Sequence, residues 1–146
     1  MLVSLEALLR RAGRELADWQ VCRFWKIPEE MQQTPCDFMG FTAWGRAVLI
    51  EAKQVNRTSL PISNSPGLLP HQFGALEECN RAGGLALVCW ARGDECAVLS
   101  FDQVLEFSYL RRSIPWGKIE KKYLRSMSGP RAHLELLSQW LPIKPS

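Results

Sequence analysis

One stretch constrains the fold of this chain more than any other. Four apolar residues, Ala47-Val48-Leu49-Ile50, run straight into Glu51-Ala52-Lys53. A short apolar run of this kind reads as a buried strand. Charge at the end of such a strand is costly unless it is paired or bound to a metal. Upstream, Cys36 to Phe41 reads as a second strand, and Ala43-Trp44-Gly45 as a three-residue hairpin loop with Gly45 in the left-handed position. In that register, residues whose numbers sum to 88 face one another, which sets Asp37 opposite Glu51. Glu51 and Lys53 are two apart on one strand and share a face. Asp37 can join them there.

Two carboxylates and an ammonium converging in this way point to metal chemistry. Adjacent carboxylates repel, and a divalent cation relieves the repulsion. Hard oxygen ligands suit Mg²⁺, with Mn²⁺ able to substitute. Such an ion can bind a scissile phosphate, acidify a water and stabilise the leaving oxygen. Lys53 can position the water or neutralise charge developing on phosphorus. The ordinary alternative is a surface Glu–Lys pair with an unrelated Asp in a turn. Glu-x-Lys alone is a common tripeptide. The whole arrangement of Pro35-x-Asp37, hairpin and Glu51-x-Lys53 after an amphipathic helix shifts the balance toward a site.

The remaining pattern supplies the frame. Leu2 to Trp19 places Leu2, Leu5, Leu8, Leu9, Leu16 and Trp19 at helical spacing, with Ser4 as a cap. Val21 to Ile27 reads as a strand, followed by a short polar connection over 28–35. Residues 54–70, rich in Ser, Asn, Pro and Gly, read as a long loop. A helix is expected over Pro70 to Arg81, ended by Gly83-Gly84. Strands are expected at Leu85 to Trp90 and Glu95 to Leu99, paired across Arg92-Gly93-Asp94. A helix capped by Ser100 or Asp102 runs through Leu110, and a last short helix over Arg131 to Trp140. The order is αβββαβ with additions: one domain over 1–146, with a basic extension from about residue 103.

Bulk properties narrow the function classes. The chain has 146 residues, 47% hydrophobic, enough for a real core. Net charge is only +3, yet residues 103–131 hold seven basic side chains against two acidic ones, a lean toward anionic partners. Five cysteines, an odd number without CxxC spacing, argue against a zinc site or a disulfide framework and fit a reducing cytoplasm. No apolar run approaches the ~20 residues of a membrane span, and the N-terminus does not read as a signal peptide.

The segments TPCDFMGF, GRAVLIEAKQ and HQFGALEECNRAGGLALVCW, in this order, resemble the RecU-type Holliday junction resolvases of the PD-(D/E)XK nuclease superfamily. The resemblance runs from about Val21 to Phe101 and weakly to Tyr123. It implies an α/β, restriction-endonuclease-like fold with a mixed central sheet flanked by helices. It also implies a Mg²⁺-dependent endonuclease acting on four-way DNA junctions as a homodimer. By position, Asp37 and Glu51 would be metal ligands together with the backbone carbonyl of Ala52. Lys53 would be the catalytic lysine and Gln72 the active-site glutamine. Glu6 best matches an additional acidic residue, with Glu15 the alternative. The family's long insertion between the first two core strands is replaced here by PEEMQQTP. The chemistry therefore carries over more directly than junction selectivity. A short chain of this kind suggests a phage or mobile-element origin and a place in the bacterial cytoplasm.

Arg57, Arg111, Arg112, Lys118, Lys121 and Lys122 are candidate DNA contacts, with Trp116 and Tyr123 interleaved. A solvated charged tail with Trp116 anchored to the core is the competing reading. His71 reads as structural or phosphate-contacting, and His133 as a surface residue. Trp44 is expected to be exposed at the hairpin tip. Leu137 to Leu141 forms an apolar patch suited to an interface. Three rival functions stay open: a nuclease of the same fold acting on duplex, nicked or flap DNA, a non-catalytic DNA-binding module, and a protein-interaction domain.

Overall fold

The apolar run becomes the middle of a sheet because it has partners on both sides. A computed structural model describes residues 3–28 and 36–143; Leu2, Pro35 and the connection over 29–35 lie outside the described residues. The elements are α1 (Leu5–Asp18), β1 (Cys22–Lys26), β2 (Phe38–Thr42), β3 (Ala47–Gln54), β4 (Ser59–Pro61), α2 (Pro70–Arg81), β5 (Leu85–Arg92), β6 (Glu95–Ser100), α3 (Phe101–Leu110), β7 (Ser113–Pro115), β8 (Leu124–Ser126) and α4 (Ala132–Glu135). Six strands form one mixed sheet in the order β1-β2-β3-β5-β6-β8, while β4 and β7 form a separate antiparallel pair. Among the described strands of this sheet, β3 and β5 are the one parallel pair. A parallel pair needs a crossover, and α2 lies within it. Helices α1 and α4 cover one face of the sheet, and α2 and α3 the other. The architecture is the mixed α/β sheet flanked by helices that the sequence implies.

The β2–β3 hairpin has the expected register: Phe38 opposes Ile50, and Phe41 opposes Ala47. The Thr42 N–H donates to Arg46 O at 2.8 Å, and Gly45 takes φ +86° in the loop. β3 runs on to Gln54, the first residue of the expected loop, because its pairing with β5 extends to Gln54 opposite Ala91. In α1 the Ser4 hydroxyl accepts from Ala7 N–H at 3.1 Å, a side-chain cap. Leu5, Leu8, Leu9, Ala12 and Leu16 are buried at i, i+3, i+4 spacing. Trp19 departs from that stripe. It caps the helix C-terminus and is 42% exposed, because Gln20 turns the chain away with φ +58°.

The C-terminal third is more ordered than its composition suggests. The basic extension contains β7, which zips onto β4, and β8, which extends the sheet beside β6. Such three-residue strands carry no periodicity to read. Trp116 is an anchor: its ring meets that of the buried Trp90 edge-on at 4.9 Å, and Arg92 lies over it at 5.2 Å. The last helix is shorter than expected, Ala132–Glu135, continuing as turns. The apolar patch over Leu137 to Leu141 is satisfied internally, with Leu137 and Leu141 in the core and the Trp140 indole donating to Val98 O at 3.2 Å. His133 is not a surface residue. It is 2% exposed and hydrogen-bonds Glu15 through Nε2. Only the packing of α1 against α4 brings these two together. All five cysteines are buried free thiols.

Candidate active site

The strand alternation that buries Ile50 sends Glu51 and Lys53 to the opposite face, toward α2. Glu51 is 1% exposed. Its Oε1 lies 3.3 Å from Lys53 Nζ. Its Oε2 is buried with no hydrogen-bond donor among the described residues. The Asp37 carboxyl interacts with Glu51 and is another acceptor, so a proton or a cation is needed between the two. The Glu51 carboxyl is pushed up to about 8: burial raises it most, the charge of Asp37 and a hydrogen bond shared with it add to that, and Lys53 opposes.

Lys53 is held from its other side. Its Nζ donates to Gln72 Oε1 at 3.0 Å, and that same oxygen accepts the Leu69 N–H at 2.9 Å. Pro70 opens α2, and Gln72 reaches back to its first turn. The long loop and helix start therefore deliver Gln72 to the end of β3.

Asp37 links two halves of the site. Its Oδ2 accepts the Ala52 N–H at 2.8 Å, while its Oδ1 lies 3.6 Å from Lys26 Nζ. Lys26 also approaches Glu6 Oε1 at 3.7 Å and donates to Ile27 O at 3.3 Å. Glu6, Asp37 and Ala52 line one small cavity with Gln54, whose side-chain oxygen accepts the Leu5 N–H at 3.2 Å and ties the start of α1 to the end of β3. Glu15 lies apart, occupied by His133. Sequence reasoning did not single out Lys26 or Gln54. The one available signal for Lys26 is a cation at the inward-facing alternation of β1, in step with the buried Cys22 and Phe24; for Gln54 it is the continuation of the β3 alternation.

The fit to a divalent cation rests on the donor chemistry. Asp37 and Glu51 offer hard carboxylate oxygens, one of them orphaned and buried. No cluster of three His, Cys, Asp or Glu side chains converges among the described residues. Protein ligation beyond two carboxylates would have to come from the Ala52 main chain or from Glu6 moving in from the cavity rim.

The proposed DNA contacts are spread out. Arg57, Arg111, Arg112, Lys118, Lys121 and Lys122 are all exposed. Lys122 pairs with Glu120 at 3.7 Å and lies over the Tyr123 ring. His71 sits half-buried in the first turn of α2. Trp44 is 58% exposed.

A family model described as RecU: Recombination protein U matches residues 26–139, a span that includes Lys26, Asp37, Glu51, Lys53 and Gln72 but not Glu6. No curated protein matches the chain.

Proposed function

The chain belongs to the RecU family of recombination proteins, and from that premise we propose that it is a Mg²⁺-dependent endonuclease that resolves four-way DNA junctions as a homodimer. The observation that carries this reading is the buried Glu51 Oε2, left without a donor beside a second carboxylate and flanked by an ammonium. Asp37 and Glu51 would hold the ion, with the Ala52 carbonyl and Glu6 as further candidates, and Mn²⁺ could replace Mg²⁺. Bound there, the ion supplies Lewis-acid activation of a phosphodiester. Lys53 stays positioned through Gln72 and presents a cation to charge developing on the phosphate. Asp37, fixed by the Ala52 N–H, holds its carboxylate at the mouth of the site. Arg57, Lys118, Lys121 and Lys122 offer exposed charge to flanking DNA. A recombination role fits a bacterial or phage-infected cytoplasm, and no helix among the described residues is long and apolar enough to cross a membrane.

The test compares a synthetic four-way junction with a linear duplex of the same sequence, in Mg²⁺ and in chelator. Paired nicks in the junction, dependent on Mg²⁺, are expected. Asp37→Asn keeps an oxygen for the Ala52 N–H but removes the charge, and should lower the rate by roughly 10³-fold. Equal cutting of both substrates would replace junction resolution with a general nuclease of this fold. Cleavage unaffected by the substitution would place the site elsewhere. Absence of DNA binding even at low salt would leave an interaction domain.

Cutting two strands of a two-fold symmetric junction calls for two copies of a site that one chain holds once. Trp25, Met39 and Phe41 are 37–49% exposed on the face of β1 and β2 that continues from Leu49. The rings of Trp25 and Phe41 meet at 6.3 Å, and β1 is an edge strand. Edges and apolar faces of this kind suit a second copy. Light scattering should find a dimer for the wild type and a monomer for Phe41→Glu; a wild-type monomer at micromolar concentration rejects the dimer.

A further inference from the structure

Behind the first turn of α2 lies a cleft of about 430 Å³ that the reaction chemistry does not use. Its volume falls within the roughly 300–1,000 Å³ of sites for small organic ligands. Ile62 and Phe73 give it an apolar floor, Ser63 and Asn64 a polar wall, and Arg111 and Arg112 a cationic rim. Phe73 is fixed edge-on against Phe101, with ring centroids 5.0 Å apart. The two guanidinium groups make no hydrogen bond or ion pair with any described residue. They are the kind of donors that take phosphate oxygens.

The cleft is built before anything enters it. β4 and β7 pair Leu60 with Ile114 and Pro61 with Ser113, and Ile62 N–H donates to Arg112 O at 2.9 Å. This binds the loop carrying Ser63 and Asn64 to the segment carrying the arginines. The loop closes tightly: Leu68 N–H donates to Pro61 O at 2.9 Å, and Gly67 N–H to Asn64 O at 2.8 Å. A Cβ at Gly67 would stand 1.8 Å from Pro61 O. Position ties the cleft to the candidate active site. Gln72 reaches Lys53, and the next residue of α2, Phe73, lines the cleft, so the first turn of one helix borders both.

We infer that this cleft is a nucleotide subsite for the strand being cut, seating one unstacked nucleotide beside the scissile phosphate. Arg111 and Arg112 hold the phosphate, Ile62 and Phe73 take the face of the base, and Asn64 meets its edge. The assignment rests on the nuclease reading above. It also gives a chain with so short a β1–β2 connection a means of favouring branch points, where bases unstack at low cost.

The experiment measures binding and cleavage separately. A four-way junction carrying 2-aminopurine at each nucleotide around the branch point, in turn, is titrated with protein in chelator. One position should change fluorescence on binding. The Arg111→Ala/Arg112→Ala variant should weaken binding about tenfold, lower the salt slope by about two and lose that signal. Asn64→Ala should reduce the signal with the fold intact. Arg81→Ala, at the far end of α2 and paired with Glu77, should change neither. Arginine variants that bind within twofold of wild type overturn the subsite. Weakened binding with no fluorescence signal at any position also overturns it, in favour of backbone contacts alone. A junction that is bound with the signal but never cut would reject the nuclease reading and leave the nucleotide site standing.

Discussion

Glu51→Gln should slow junction cleavage by 10³-fold or more and, without metal, make the protein harder to melt. The cleavage loss has the same origin as that of Asp37→Asn, on the order of 4 kcal/mol of transition-state stabilisation. The gain in stability comes from burial. Glutamine keeps an oxygen near Lys53 Nζ, where Glu51 Oε1 now sits at 3.3 Å. Its amide nitrogen takes the place of the unpartnered Oε2 and can donate to the Asp37 carboxylate. The folded-state carboxyl titrates at about 8, against an ordinary value of 4.5. A group raised in this way holds its proton more tightly in the folded chain. Its contribution to stability is complete below about pH 4.5 and is lost as pH rises through about 8. Glutamine does not titrate, so the melting-temperature gap between variant and wild type should open from pH 5 to 8 and level off above. A difference of a few kcal/mol corresponds to several degrees in a domain of this size. Mg²⁺ should then close the gap from the other side, since an ion that binds only the folded wild type stabilises it by mass action. It should also bind more tightly with rising pH over the same window, because the proton must leave first. Parallel melting curves for variant and wild type across pH 5–9 would show that Glu51 is not held as described.

The parts of this arrangement that could be read from residues alone are those governed by local rules. The hairpin register followed from a three-residue loop and a glycine, and it set Asp37 opposite Glu51. The bounds of α2 followed from Pro70 and the glycines after Arg81. Ser100, one of two offered caps, is the residue used, accepting from Gln103 N–H. What escaped depends on contacts far apart in sequence. β4 and β7 are short, and pair across more than fifty residues. The Arg92–Glu95 pairing tightens the expected turn to Gly93-Asp94. His133 and Glu15 meet only because α1 and α4 share a face of the sheet. Lys26 escaped for the same reason: nothing in RFWKIP names its partners until β1 pairs with β2 and α1 lies across them. The short connection before Asp37 was legible as short, and the cleft beside Phe73 was not legible at all, since its walls come from residues 62–73 and 108–112.

Lys26→Met should lower the maximal cleavage rate about a hundredfold while tightening Mg²⁺ about tenfold. The ammonium stands between Glu6 Oε1 and Asp37 Oδ1, at 3.7 and 3.6 Å, with only 11% of its side chain exposed. At this depth a unit charge is weakly screened: two charges 4 Å apart interact by about 4 kcal/mol at an effective dielectric of 20. A resident cation therefore competes with any metal drawn to the same carboxylates, and its removal favours the metal. The same removal takes away what orients Asp37 from the α1 side, leaving the Ala52 N–H and the neighbouring Glu51 carboxyl, and the carboxylate loses its fixed direction. Orientation is expensive to lose in catalysis, where small displacements cost roughly a hundredfold. Methionine is an unbranched apolar chain of similar reach, and its end can take the place of the ammonium that lies 6.0 Å from the Phe38 ring centre, so the fold should persist. Lys26→Arg keeps the charge and should return both quantities toward wild type. Lys26 would then be a positioning residue that acts through Asp37. A purely structural role would lower the melting temperature and loosen Mg²⁺ together, and that outcome would remove Lys26 from the site. The opposite movement of rate and metal affinity would also expose Glu6, freed from its ion pair, as a carboxylate able to join Asp37. Adding Glu6→Gln to Lys26→Met should then cancel the gain in Mg²⁺ affinity, whereas a Glu6 that takes no part would leave the gain intact.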